Sequence, residues 1–354
     1  MNLDFHYYGT YSAARLAGYE REDAKVIAYY AQFVDECSND FLTQIGRSDE
    51  TATVQSSAEL TKLSLDTHKY TENELKEAAE IWGGFHFLPG NVDGKYQFNA
   101  KDGSNNIVPE RVCLPDSTLL LQTVVNAKAK GTLPATGMAM HILADTWAHC
   151  YFAGIPCKSI NDASGDVFEV KGDNADNEKL RFTWDILPDN LEKNHYSCTP
   201  PNPLRDNSIV YLGHARMGHL PDYGFMKYSY VPEWNGRVRL IKDNPTDYMK
   251  AFCQMIYAMQ YIRGDVDNFE TGVYAKLGNV TEEQIKGIIN TRKADTSEEW
   301  ENYIANEAFR DDEEAGGIEK FDLENCKTGN YLNEFFDAAR EHKRFVVDVV
   351  GEYK

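Results

Sequence analysis

One apolar segment, GMAMHILADTWAHCYF at residues 137–152, constrains this fold more than any other feature of the sequence. Apolar side chains occupy almost every position around the helix that we expect over residues 136–152, so that helix should be buried on much of its circumference. A buried helix needs other elements packed around it. The rest of the chain predicts mostly further helices, and we therefore expect a mainly α fold built as a multi-helix bundle.

Three polar residues interrupt this segment at regular spacing. His141, Asp145 and His149 stand at positions i, i+4 and i+8, which places them within an arc of about 80° on one helix face. Histidine and aspartate supply the nitrogen and oxygen ligands that zinc prefers, and an aspartate between two histidines can bridge two metal ions. A buried carboxylate without a cation or donors costs several kcal/mol, so a metal is the economical explanation. The alternative is a hydrogen-bonded row within the core.

Hydrophobic periodicity and capping residues predict the other elements. Helices are expected at 21–36, 72–82, 117–131, 208–220, 246–263, 281–292, 296–309 and 330–352. Gly83-Gly84 should end the second helix and Pro221 the fourth, while Thr281 with Gln284 and Thr296 with Glu299 fit capping boxes. A few short strands (KYQFNA, NIVPERV and DVFEVK) should lie in long loops at 89–113 and 155–205.

A predicted turn near residues 225–240 separates a part of the chain that contains most of the histidines from a part that contains few. Histidine is concentrated before it, and only His342 follows His219. We therefore expect a metal-binding helical core over residues 1–225. Residues 226–354 should form a helical part that packs on this core, either as a second domain or within a single one. His68, His195 and His342 lie in polar surroundings and are predicted to be surface residues.

A second group of candidate ligands lies in the segment YLGHARMGHLPDYG, which contains His214, His219 and Asp222. His214 and His219 diverge by about 140° on a regular helix, but Pro221 should end the helix and free His219 and Asp222 to turn toward a site. The alternative is a solvent-facing turn with incidental histidines.

Four further residues are candidates for the same site. Asp4 and His6 point the same way in an extended stretch, DFHYY, whose aromatic residues favour packing inside the protein. Asp35 ends an apolar helix, where a carboxylate is unfavourable with the helix dipole unless a cation compensates it. His86 lies between two phenylalanines. An exposed tail histidine, a helix-end carboxylate and a core histidine are the respective alternatives.

Composition narrows the possible partners. The formal net charge of -20 disfavours nucleic acid and anionic membrane surfaces. The chain shows no signal peptide at its start and no apolar run long enough to cross a membrane. Its seven cysteines include no CxxC pair, so reduced packing cysteines and a cytoplasmic location are expected. GxSxG, GxxxxGK[ST] and GxGxxG motifs are absent, which disfavours serine hydrolases and nucleotide cofactors.

These motifs together resemble a known superfamily. The HxxxD helix, the early histidine, the aspartate on the next helix and the later histidine are similar to those of zinc-dependent phospholipases C and single-strand-specific zinc nucleases. The opening DFHYYGTYSAARLAG, with HILADTWAH and GHARMGHLPD, also resembles a group of uncharacterised bacterial and fungal proteins associated with that fold. The resemblance covers roughly residues 1–225.

The resemblance implies a helical bundle that holds up to three zinc ions, with Asp145 bridging two of them. Its ligands would be His6, Asp35, His86, His141, Asp145, His149 and His214. In the phospholipases a processed N-terminal residue is a ligand, and Asp4 could substitute for it here. A carboxylate follows their later histidine by four residues. Gly218 stands at that position here, so His219 or Asp222 is expected to fill the place.

The sequence therefore favours a zinc-dependent hydrolase of phosphoester bonds with one to three zinc ions. Zinc would lower the pKa of a bound water and hold phosphoryl oxygens, while Asp35 or Asp222 orients the water as a general base beside the bridging Asp145. A phospholipid or a small phosphodiester is the expected substrate class, because the net charge disfavours nucleic acid. The 21 tyrosines and 17 phenylalanines would suit a cationic head group. The alternative is a non-catalytic binding or scaffold protein that a metal stabilises.

Overall fold

A computed structural model describes residues 1–47, 72–94, 96, 109–172, 178–183, 189–198, 211–235, 238–327 and 330–352. A π-helical turn, Asp4–Gly9, leads directly into the first α-helix. The helices are α1 Thr10–Leu16, α2 Arg21–Glu36, α3 Asn39–Gln44, α4 Glu72–Phe85, α5 Thr118–Lys130, α6 Leu133–Ala148, α7 Lys158–Asn161, α8 Asn244–Arg263, α9 Asn279–Ile289, α10 Ser297–Tyr303, α11 Arg310–Ala315 and α12 Tyr331–Val350. The strands are β1 Ala163–Glu169, β2 Glu178–Lys179, β3 Arg181–Thr183, β4 His195–Ser197, β5 Lys227–Pro232 and β6 Leu240–Asp243. The prediction of a mainly helical fold is confirmed.

Helix α6 lies at the centre of the bundle. Every residue from Pro134 to Ala148 is buried, and helices α2, α5, α8 and α12 pack around it. The closest crossing is with α2, because Gly137 has no side chain. A Cβ at Gly137 would lie 2.3 Å from the carbonyl oxygen of Ile27. This close approach brings the C-terminal end of α2, with Asp35, toward the polar face of α6.

Local capping signals set the ends of α5 and the start of α6, which are adjacent in the chain and pack against each other. The hydroxyl of Ser117 accepts a hydrogen bond from Leu120 N at the start of α5, and Gly131 ends the helix with φ +68°. Thr132 then caps α6 through Ala135 N. The expected boundaries of both helices are therefore confirmed to within a few residues.

The predicted helices at 21–36, 246–263 and 330–352 are likewise confirmed, but three other expectations about helices were wrong. Helix α4 continues through Gly83 and Gly84 to Phe85, since its packing against α12 outweighs the weak helix propensity of glycine. Within residues 212–222, two 3₁₀ turns, 215–217 and 220–222, stand in place of the predicted helix at 208–220, because positive φ angles at Gly213 and Gly218 interrupt a helix. Helix α9 begins at Asn279, so Thr281 lies inside it.

A small antiparallel sheet with strand order β2-β1-β5-β6 covers the loops that follow α6. Strand β1 contains the predicted DVFE segment and has an irregular register between Ser164 and Phe168. The hairpin β5–β6 occupies the expected turn region at 225–240. Strands β3 and β4 form a separate parallel pair. Of the predicted KYQFNA strand, only Tyr96 lies within the described residues. The described part of NIVPERV was wrongly predicted as a strand, because Pro109–Arg111 form a 3₁₀ turn and Val112 makes an isolated bridge to Ala153.

The C-terminal helices pack on the N-terminal ones and extend the same core. Phe5 makes edge contacts with Tyr248 of α8 and Trp300 of α10. His342 of α12 is buried and donates from Nε2 to the Gly84 carbonyl, so its predicted surface position was wrong. His195 is half-buried in β4, and His68 lies outside the described residues. The six cysteines whose side chains are described (Cys37, Cys113, Cys150, Cys157, Cys198 and Cys253) are free, and no helix among the described residues is long and apolar enough to cross a membrane.

Candidate metal centre

Hydrogen bonds and an ion pair fix the C-terminal end of α6, where its polar face ends. His149 is the C-cap residue, and its N–H donates to the Asp145 carbonyl at 2.8 Å. The buried ammonium of Lys242 donates to the Trp147 carbonyl and pairs with Asp247. A cation at this end satisfies an orphan carbonyl and complements the helix dipole, so it fixes the turn that carries Asp145 and His149.

Asp145 directs its two carboxylate oxygens to two different sets of partners. Oδ1 lies 3.2 Å from His6 Nε2 and 2.8 Å from the amino nitrogen of Met1. Oδ2 lies 3.2 Å from His141 Nε2 and 3.3 Å from His86 Nδ1. The side chain is almost fully buried, so these nitrogens, together with His149, provide its polar environment.

The first group of potential ligands consists of His6, His141 and Asp145. The π-helical turn at the N-terminus brings His6 to the site, and its ring stacks on that of His141 with centroids 3.9 Å apart. Among the described residues, both ring nitrogens of His6 and Nδ1 of His141 lack a hydrogen-bond partner. Burial, His141 and the amino terminus lower the pKa of His6 to about 4, so His6 is neutral at pH 7.

The second group consists of Asp35, His86 and His141. Asp35 Oδ1 lies 3.6 Å from His86 Nδ1 and 3.8 Å from His141 Nε2, while those two nitrogens are 3.2 Å apart. Asp35 comes from the last turn of α2, and His86 directly follows α4. The Asp35 side chain is 31% exposed, compared with 2% for Asp145, so solvent reaches the centre on this side.

The third group consists of His149, His214 and Asp222. Asp222 Oδ1 is 3.3 Å from His149 Nε2, and its Oδ2 is 3.6 Å from His214 Nε2. Each histidine faces a backbone carbonyl with its other nitrogen: His149 Nδ1 lies 2.7 Å from the His86 oxygen and His214 Nδ1 lies 2.8 Å from the Gly218 oxygen. These contacts assign the proton to Nδ1 and leave the Nε2 lone pairs directed into the group.

The donor spacing fits metal coordination. Two ligands bound about 2.0–2.1 Å from a tetrahedral zinc ion lie about 3.3 Å apart. The distances from Asp145 to His6, His86 and His141, and from Asp222 to His149, are 3.2 or 3.3 Å. The unpartnered nitrogens of His6 are a further sign, because buried polar atoms normally have partners. These three His/Asp groups could hold metal ions.

Asp145 and Asp222, the two more buried carboxylates of the three groups, are charged in this environment. Burial alone raises the pKa of Asp145, but His149, the amino terminus, His141 and His6 outweigh it and hold that pKa well below its usual value. Burial likewise raises the pKa of Asp222, and His214 and the amino terminus reverse the effect. Both side chains are therefore anionic at neutral pH and are suited to hold cations.

Two predicted ligands lie outside the three groups. Asp4 accepts hydrogen bonds from the N–H and hydroxyl of Thr296, so its carboxylate faces α10. His219 is exposed and donates to Asp189, which also accepts from Tyr223. His219 or Asp222 was expected to replace the missing carboxylate after His214. Asp222 is the one that contacts His149 and His214.

Sequence reasoning missed three groups that shape the centre. The Met1 amino nitrogen lies among Asp145, Asp222 and His149, at 2.8, 3.3 and 3.5 Å. The Gly218 carbonyl orients His214, and Lys242 holds the end of α6. The glycine four residues after His214 is a weak sequence signal for this carbonyl, because glycine favours positive φ angles and Gly218 adopts φ +54°. Nothing near Lys242 in the sequence indicates its role.

Comparison with known proteins identifies the family but not the activity. A family model described as a family of unknown function (DUF6765) matches residues 1–350. The chain belongs to this family. No match was found among curated proteins or among solved structures. The three His/Asp groups all lie within the matched residues, so the chemistry of this DUF6765 member has to be inferred from its geometry.

Proposed function

We propose that this protein is a zinc-dependent hydrolase of phosphoester bonds. The observation that carries the proposal is Asp145, whose two buried oxygens face separate sets of nitrogen donors at 3.2–3.3 Å. A carboxylate in this arrangement suits two cations, one on each oxygen. The resemblance of the motifs to zinc-dependent phospholipases C and zinc nucleases supports the same assignment, because a bridging aspartate holds neighbouring zinc ions in those families.

The contacts suggest how three ions would share the ligands. His141 belongs to two groups, so a single ion would take His141 Nε2 together with His86 and Asp145 Oδ2, with Asp35 beside it. A second ion would take His6 and Asp145 Oδ1. A third would take His149, His214 and Asp222.

Bound zinc ions would supply a Lewis acid for a phosphoryl oxygen and would make a water molecule more acidic. The residues of this chain would supply the remaining functions. Asp35 is the most solvent-exposed of the three carboxylates, at 31% against 2% for Asp145 and 10% for Asp222. Asp35 is thus the residue best placed to orient an incoming water as a general base, while Asp145 and Asp222 mainly hold cations.

The substrate class follows from charge and from the aromatic surroundings. A net charge of -20 repels long polyanions, which favours a phospholipid or a small phosphodiester over nucleic acid. Aromatic side chains line the centre, since Phe87 stacks on His149 at 4.5 Å and Trp82 lies 5.1 Å from His86. Phe87 is buried, whereas Trp82 is half-buried, and an aromatic face such as that of Trp82 beside anionic carboxylates would suit a cationic head group such as choline.

The test begins with elemental analysis of the zinc content of protein that has never been exposed to a chelator. We expect one to three zinc ions per chain. The same protein is then assayed on chromogenic phosphodiesters and choline phospholipids, before and after chelation and zinc restoration. Hydrolysis that disappears with the metal and returns with zinc supports the proposal. Protein that carries its full zinc and hydrolyses nothing on the panel would instead be the metal-stabilised scaffold.

A further inference from the structure

We infer that residues 294–312, here called the clamp segment, position His6 in the metal centre, with Thr296 and Asp4 forming the contact closest to it. This inference rests on the proposed function, because it assigns to His6 the role of a metal ligand. It gives the C-terminal third of the chain a part in the site, although none of the three His/Asp groups contains a residue from that third.

The clamp segment holds the N-terminal residues through polar contacts on both sides of His6. Asp4 Oδ2 accepts from Thr296 N at 2.9 Å and from Thr296 Oγ1 at 2.7 Å. Asn2 Nδ2 lies 3.3 Å from the Ala294 carbonyl and 3.4 Å from the Asp222 carbonyl. Asn2 therefore links the clamp segment to the loop that carries a residue of the metal centre.

The contacts continue along one face of the N-terminal helix. Tyr8 donates to Glu301 at 2.7 Å, and Tyr11 donates to the buried Asp312 at 2.5 Å. Asp4, Tyr8 and Tyr11 are spaced by four and three residues and so share a face. His6 is two residues from Asp4 and from Tyr8, which places it on the opposite side. The helix is thus held between the clamp segment and the metal centre.

Thr296 is used differently from an ordinary N-cap residue. It is the N-cap of α10, but its side chain makes no capping bond within that helix. Its hydroxyl donates to Asp4 instead, so the expected capping box with Glu299 does not form. Helix α10 therefore lacks a side-chain capping hydrogen bond, because the Thr296 hydroxyl binds Asp4 in the N-terminal segment instead.

His6 depends on this placement. Its imidazole makes no well-formed hydrogen bond among the described residues, and the polar contact that it does make, from Nε2 to Asp145 Oδ1 at 3.2 Å, is with a residue of the metal centre itself. Its position follows from the helix backbone and from stacking on His141. A zinc–nitrogen bond is about 2 Å long, and a displacement of a few tenths of an ångström weakens it. Loosening the clamp segment should therefore weaken the ion held by His6 before the others.

The test compares Thr296→Val with Thr118→Val. Thr118 donates to Asp93 at the same 2.7 Å distance but touches none of the three groups, so it is the matched control. Thr296→Ser keeps the hydroxyl and serves as the rescue variant. Zinc per chain is measured after dialysis at a series of buffered free zinc concentrations, and circular dichroism checks that each variant is folded.

We expect Thr296→Val to bind one zinc about tenfold more weakly, corresponding to the loss of a hydrogen bond to a charged group, with the remaining zinc unchanged. Thr118→Val and Thr296→Ser should match the wild type. If Thr296→Val fails to fold, Asp4→Asn, which keeps the side-chain size, provides the same comparison. Equal zinc binding by wild type and a folded clamp variant would overturn the inference alone. A wild type that binds no zinc at any concentration would overturn the proposed function as well.

Discussion

The imidazole of His6 stacks on that of His141 with ring centroids 3.9 Å apart, which joins the N-terminal turn to the central helix. Stacked and buried imidazoles disfavour a positive charge, and the pKa of His6 is lowered to about 4. A neutral imidazole is the form that binds zinc. This pair therefore keeps a metal-binding nitrogen available at any pH well above 4.

Asp145→Asn should release metal and abolish activity. The substitution keeps the shape of the side chain but removes the negative charge that faces both donor sets. Hydrolysis should fall by orders of magnitude, and thermal stability should fall with the metal, since binding and folding free energies are linked. Zinc content and melting temperature are measured together. Asp116→Asn is the control, because Asp116 also accepts several hydrogen bonds but lies outside the three groups. Activity that survives with zinc intact in Asp145→Asn would show that catalysis occurs elsewhere.

Asp35→Asn should separate catalysis from metal binding. An amide oxygen can still serve as a weak ligand, but an amide cannot accept a proton from water. We expect activity to fall by about 10²–10⁴-fold, the usual contribution of a general base, while most of the zinc remains. The measurement is kcat at saturating zinc together with zinc per chain. A loss of activity that only parallels the loss of zinc would make Asp35 a ligand without a separate role as base.

Gly218→Ala should damage the group formed by His149, His214 and Asp222. Gly218 has φ +54°, and a Cβ there would lie 1.9 Å from the Ser197 carbonyl oxygen, so the loop has to move. Its carbonyl would then no longer hold His214 Nδ1. Gly172→Ala is the matched control, with φ +67° and no atom within 4 Å of the added Cβ. The control should lose only about 1 kcal/mol of stability and keep its zinc. Equal zinc content in the two variants would show that the Gly218 contact does not matter.

Acid should destabilise the protein through His342, which lies outside the metal centre. Burial lowers the pKa of His342 from 6.5 to about 4. Between pH 6.5 and about 4, His342 is protonated in the unfolded chain but remains neutral in the folded protein. The free energy of unfolding should therefore fall by about 1.4 kcal/mol per pH unit as the pH decreases toward 4. His342→Gln removes this proton, and urea unfolding across pH 4–7 should give a flatter profile than the wild type. Parallel profiles would contradict the assignment.

The sequence predicted the centre of this fold better than its periphery. The spacing of His141, Asp145 and His149 on an apolar helix depends only on local geometry, and it placed all three on the polar face of α6. Asp222 and His214 were identified from the cluster of histidine and aspartate in YLGHARMGHLPDYG, although the described residues around them form 3₁₀ turns and not the predicted helix. Thr296 was misread because its local pattern fits a capping box, whereas its partner Asp4 lies near the other end of the chain. Contacts between distant segments leave no periodic signal, which is also why the role of Lys242 was missed.

The connection between residues 2–15 and the clamp segment has a consequence for biosynthesis. Asp4 is synthesised 292 residues before Thr296, which holds it, and Glu301 and Asp312 follow Thr296 in the chain. Loop closure over such a separation is slow compared with the formation of local helices. The aromatic residues Tyr8 and Tyr11 therefore lack these partners until residues 301 and 312 have been synthesised. Nascent chains that stall before residue 294 should bind chaperones that recognise apolar segments, and complete chains should release them.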